Sequence, residues 1–77
     1  MNEKLVEIIA GVLEMEPEEI NDGLTPDSVE VWDSFTHVVL ITSLEEGFDI
    51  TFNPQEVTKI HSIADIRTSL RKHGIEV

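Results

Sequence analysis

Leu5, Ile8, Ile9, Val12 and Leu13 recur at intervals of three and four, the spacing that gathers side chains on one face of a helix. The same interval returns at Leu40, Ile41, Leu44 and Phe48, and again at Ile63, Ile66 and Leu70. Three such stripes in 77 residues leave little choice: each helix must bury its apolar face against the others around one modest core. No convincing period-2 strand competes, because Ile50-Thr51-Phe52 is too short to stand alone. The predicted fold is all-α, a small four-helix bundle of three longer helices plus one short one. It is expected to form one domain over residues 1–77.

Local signals set the boundaries. Residues 3 to 15 read as the first helix, with Asn2 as its N-cap and Glu16-Pro17 as its end. Residues 16 to 33 form a long connection carrying the turn signals Pro17, Asp22-Gly23 and Pro26. Ile20, Leu24, Val29, Val31 and Trp32 are spaced through it, and some of them are expected to pin it to the bundle. The second helix runs from Ser34 to Gly47, with Val38 flanking its buried stripe and Gly47 suiting its end. Asn53-Pro54-Gln55-Glu56 combines a cap, a proline at N1 and a glutamate at N3, and starts a short third helix that stops before Ile60-His61. Ser62 begins the fourth, and Gly74 stops it. Arg67 and Arg71 read as a solvated face of that helix, balancing nearby acids.

Net charge is −11, and its distribution says more than the sum. From Leu5 to Thr58 there are thirteen acidic residues and no lysine or arginine. Such a surface repels nucleic acid and anionic membranes and attracts proteins with basic patches. No apolar run approaches membrane-spanning length, and Met1-Asn2-Glu3-Lys4 lacks the layout of a signal peptide, so a cytoplasmic monomer is expected. There is no cysteine, which removes disulfides and thiolate metal sites. Any thioester chemistry must therefore use a thiol attached after translation. Aligning Gly23 with the sixth position of a calcium-binding EF-hand loop puts Ile20 and Val29 at ligand positions, so no metal site is expected there. The three histidines are scattered, and no nucleophile–base–acid set stands out for catalysis.

The stretch Val31-Trp32-Asp33-Ser34-Phe35-Thr36-His37-Val38 is where the acidic connection becomes the second helix. A serine at a helix start is exposed, oriented and backed by the positive end of the helix dipole. A phosphodiester on its oxygen would be stabilised by that dipole and by free backbone N–H groups. The plainer reading makes Ser34 or Asp33 a helix cap. His37 lies one turn on, where a protonated ring would meet such a phosphate.

These residues resemble the acyl carrier protein family across nearly the whole chain. Leu13-Glu14-Met15-Glu16-Pro17-Glu18-Glu19-Ile20 is similar to the family's exit from helix one, and Asp33-Ser34-Phe35 looks like its Asp-Ser-Leu attachment motif. Leu44-Glu45-Glu46-Gly47-Phe48-Asp49-Ile50 resembles the end of its second helix. Ile60-His61-Ser62-Ile63-Ala64-Asp65-Ile66 is similar to its join between helices three and four. The resemblance implies that Ser34 accepts a 4′-phosphopantetheine arm from coenzyme A, through a separate phosphopantetheinyl transferase that uses magnesium. The arm's thiol then holds an acyl group as a thioester and presents it to acyl-loading and acyl-using enzymes. Asp33 and Phe35 belong to the motif, and Asp33 also stands to assist the modifying enzyme.

By the same resemblance, helix two is the main docking surface for partners with basic or apolar patches, through Phe35, Val39, Glu45 and Glu46. Phe35 replaces the motif's leucine, and Trp32 stands where many fatty-acid carriers have a small residue. Thr36 and Val39 fall where those carriers often place acids. A carrier dedicated to a specialised pathway is therefore expected, with a fatty, polyketide, hydroxy-acid or aminoacyl cargo. The competing reading is an unmodified acidic helical module that docks a basic partner.

Overall fold

The computed structural model describes Met1–Val77 and contains four α-helices: α1 (Glu3–Leu13), α2 (Ser34–Phe48), α3 (Pro54–Lys59) and α4 (Ile63–Lys72). Its 15 buried apolar residues form one cluster fed by α1, α2, α4 and the long connection. Leu5, Ile9, Leu40, Leu44, Ile63, Ile66 and Leu70 are fully enclosed, so the three periodic stripes meet in one core. The short α3 enters it through Val57, which is partly buried, and through Ile60 just past its end. No helix is long and apolar enough to cross a membrane.

The helix starts follow their caps. Asn2 Oδ1 accepts from Leu5 N–H at 3.0 Å, and Ser62 Oγ accepts from Asp65 N–H at 3.0 Å. At α3 the cap is reciprocal: Asn53 takes the Glu56 N–H, and Glu56 takes the Asn53 N–H, each at 2.9 Å. A helix of 6 residues cannot hold itself in water. Its cap, and the ring of His73 set 3.0 Å from the Glu56 carboxylate, fasten it to the end of α4.

The helix ends differ from their sequence signals. α1 stops at Leu13 and not at Met15, because Glu14 turns left-handed at φ 57° and Met15 N–H bonds back to Ala10 O. α2 continues through Gly47 to Phe48, and Asp49 takes the left-handed position at φ 54°. Gly47 has a different task. A Cβ there would lie 2.5 Å from Ile8 Cδ1, so the missing side chain lets α1 approach α2 closely. Gly74 does end α4, at φ 83°.

The connection between α1 and α2 is not structureless. A 3₁₀ turn at Pro17–Glu19 is closed by Glu19, whose carboxylate accepts the Glu16 N–H at 3.0 Å while its own N–H donates to Glu16 O at 2.9 Å. Ile20, Val29 and Trp32 are buried, Leu24 is partly buried, and Val31 stays exposed. The loop also serves α4, whose Ile63 and Ala64 N–H groups donate to Leu24 O and Asp22 O at 3.1 and 3.2 Å. Arg67 completes this seam. Its Nη1 meets the Asp22 carboxylate at 2.7 and 2.9 Å, and its Nε donates to Val77 O at 2.8 Å. The expected solvated face thus has a structural job, because Arg67 ties loop, helix and tail together.

Candidate functional site

Asp33 is the cap of α2: its Oδ1 accepts from Thr36 N–H at 2.9 Å. That bond, with a further one from the Thr36 side chain, holds the Asp33 carboxyl below the ordinary carboxylate range. Ser34 is therefore the first helical residue and not the cap, and it is exposed. Its hydroxyl sits at the end of a 15-residue helix where backbone N–H groups point outward.

Beside Ser34 lies a cleft of about 440 Å³ between the end of the connection, the start of α2 and the far side of α3. Trp32, Val57 and Ile60 supply its apolar lining, while Ser34, Thr58 and His61 bring polar groups to it. Trp32, the one tryptophan of the chain, is 2 % exposed. Its indole N–H, which can only donate, bonds His37 Nδ1 at 3.0 Å. The His37 proton is thereby placed on Nε2, which faces Val57 O at 3.3 Å. Both ring nitrogens of His37 are engaged within the fold. The expected contact of His37 with a phosphate would require breaking that arrangement.

His61 shares the cleft and is exposed, yet no spacing in the chain singles it out. Its place beside Ser34 comes from the turn between α3 and α4, which a linear reading does not locate.

The outer face of α2 carries Phe35, 78 % exposed, with Val38 and Val39 on the following turn. Val38 faces solvent and does not flank the buried stripe as expected. Position 38 lies about 100° of helical arc beyond 37 and lands with Phe35, one turn before it. Glu46 is exposed, whereas Glu45 is partly buried and its Oε2 accepts the Phe52 N–H at 2.8 Å. The four residues expected to dock partners therefore do not share one character. Phe35 and Val39 form an open apolar ridge, and Glu45 helps to terminate α2 and turn the chain into α3.

The model of a family described as a phosphopantetheine attachment site matches residues 3–70. An acyl carrier protein from Clostridium acetobutylicum is 34 % identical over 80 residues, covering 96 % of this chain and 96 % of the relative. The chain belongs to the acyl carrier protein family. A solved structure from Mycobacterium tuberculosis, assigned provisionally as an acyl carrier protein, superposes with a TM-score of 0.82. It shares 25 % identity, over 92 % of this chain and 95 % of that one.

Acyl carrier proteins are carriers and not enzymes, and they hold 4′-phosphopantetheine covalently. They work with phosphopantetheinyl transferases and acyl-handling enzymes. The residues here fit that group. An exposed hydroxyl at a helix N-terminus suits a phosphodiester, and an adjoining cleft with mixed lining suits an arm of alternating amide and alkyl segments.

Proposed function

We propose that Ser34 Oγ bears the 4′-phosphopantetheine arm and that the protein carries acyl thioesters for a specialised pathway in the cytoplasm. The observation that carries this reading is the division of labour at the start of α2: Asp33 caps the helix, and Ser34 is left exposed beside the cleft. The arm supplies the thiol that the cysteine-free chain lacks. The protein's own residues do the positioning. Asp33 fixes the first turn, the N-terminus of α2 stabilises the phosphodiester charge, and the tether raises the cargo's effective concentration at each partner.

Partner recognition belongs to α2. Phe35, Val38 and Val39 offer an apolar ridge, and Glu46 adds charge at the far end. Partners for this carrier accordingly present an apolar groove with a basic rim. Such a preference separates it from carriers read mainly through acidic side chains.

Intact mass after incubation with coenzyme A, magnesium and a broad-specificity phosphopantetheinyl transferase tests the assignment. One phosphopantetheine addition, absent in Ser34→Ala, is the expected result. No addition on folded protein with several transferases would overturn it and leave the acidic docking module as the better account.

A further inference from the structure

We propose that the Trp32–His37–Val57 bridge seals the seam between α2 and α3, so that cargo on the arm rests in the outer cleft, which accepts short acyl groups and turns long alkyl chains away from the core. The proposal rests on the assignment of the arm to Ser34 and adds a cargo class to it.

The bridge is built from three elements. Trp32 comes from the end of the connection, His37 from α2 and Val57 from α3. The indole of Trp32 is almost wholly enclosed and held by its N–H at His37 Nδ1, while His37 Nε2 reaches the carbonyl of a residue 20 positions away. Trp32 belongs to the same core cluster as Leu40, Leu44, Ile63 and Ile66, all four of them fully enclosed. A chain entering from the arm would have to push the indole aside. It would also strip a buried N–H of its only acceptor, since an indole has one donor and this one is spent on His37.

In front of the bridge the site is different. The cleft is of ordinary size for a ligand site but lies largely open to solvent. Apolar lining from Trp32, Val57 and Ile60 is limited, and Thr58 and His61 bring a hydroxyl and an imidazole to it. A short acyl group attached to the arm finds both kinds of partner there. A long alkyl chain does not, because the gain from burial scales with the apolar area covered and the cleft has little to offer beyond its first few carbons.

Trp32 provides its own signal. The test loads wild-type protein, His37→Ala and His37→Gln with a butanoyl or a dodecanoyl arm from the corresponding coenzyme A thioesters. Intact mass is read on every sample before any spectrum. NMR then follows the methyl groups of Leu40, Leu44, Ile63 and Ile66, the indole N–H of Trp32, and the backbone of Thr58 and His61. In wild type, butanoyl is expected to shift the Thr58, His61 and indole signals, and dodecanoyl is expected to leave the core methyls where the unloaded arm has them. His37→Ala opens the seam, so dodecanoyl then moves the core methyls. His37→Gln retains an acceptor and a donor and behaves as wild type.

Core methyls that shift with dodecanoyl in wild type overturn the proposal, as do cleft signals that ignore butanoyl. If His37→Ala does not fold, the wild-type pair decides alone. A folded wild-type sample that gains no mass overturns the attachment to Ser34 instead, and that failure is visible before the seam is tested.

Discussion

Trp32 Nε1 and His37 Nδ1 lie 3.0 Å apart, with their ring planes within 18° of each other. The bond joins the last turn of the connection to the first turn of α2, on the same helical turn that presents Ser34. It therefore helps to orient the turn from which Ser34 projects.

Removing the acceptor has a predictable cost. His37→Ala leaves the buried indole N–H without a partner, and the expected loss is about 1–3 kcal/mol. Urea unfolding followed by circular dichroism and by Trp32 fluorescence measures it. His37→Gln should recover most of the loss. Equal instability of the two variants would mean that the ring's bulk matters and its hydrogen bonds do not.

Arg67 and Asp22 are joined across 45 residues, with their side chains 21 % and 49 % exposed. Solvent screens such a pair, so Asp22→Asn is expected to cost under about 1 kcal/mol globally. The local effect should be clearer. The Ile63 and Ala64 amides donate to carbonyls of the loop that Asp22 anchors, and their hydrogen exchange is expected to quicken in the variant and to depend on salt in wild type. Unchanged exchange at both amides would show that the loop holds its place without the pair.

Gly47 and Ile8 should be energetically coupled. Gly47→Ala gains about 1 kcal/mol of helix propensity but drives its Cβ onto Ile8 Cδ1, so the single variant is expected to be close to neutral. Ile8→Val removes that terminal methyl, and the nearest remaining atom of residue 8 is then 3.7 Å away. In the Ile8→Val background, Gly47→Ala should stabilise by about 1 kcal/mol, a double-mutant coupling readable from chemical denaturation. Additive effects would contradict the close approach.

Acid should loosen both cap carboxylates. Asp33 is held below its ordinary 3.8 chiefly by the Thr36 N–H, and Glu56 below its ordinary 4.5 chiefly by the Asn53 N–H, with His73 assisting. A lowered folded-state pKa means that the stability is present above those ordinary values and is lost as pH falls through the lowered ones. Repulsion among the other acids relaxes over the same range with opposite sign, so the informative quantity is a difference. Asn remains a good cap but does not titrate. The stability advantage of wild type over Asp33→Asn should shrink as pH drops below about 4. A constant difference would remove the carboxylate's charge from the account.

Much of this architecture was legible along the chain because its causes are local. Three apolar stripes at helical spacing, the caps at Asn2, Asn53 and Ser62, and the stop at Gly74 each act within a turn or two of themselves. Asp33-Ser34-Phe35 was legible for the same reason, and within it the structure gives the cap to Asp33. The ends of α1 and α2 were not, since Glu14 and Asp49 adopt left-handed angles without glycine's local signature. Glycine at 47 looked like a terminator because its real cause, the methyl of Ile8, lies on another helix.

What the sequence determined by itself is the class of the molecule: periodicity dictates helices, length allows one small core, and without cysteine any thioester chemistry needs an attached thiol. Only the tertiary structure decided which polar groups meet. His37 read as a phosphate contact until the fold placed an indole donor and a carbonyl acceptor against its two nitrogens. Arg67 was a surface cation until Asp22 arrived beside it. Such pairings depend on the relative placement of whole elements, and no short window of sequence contains that information.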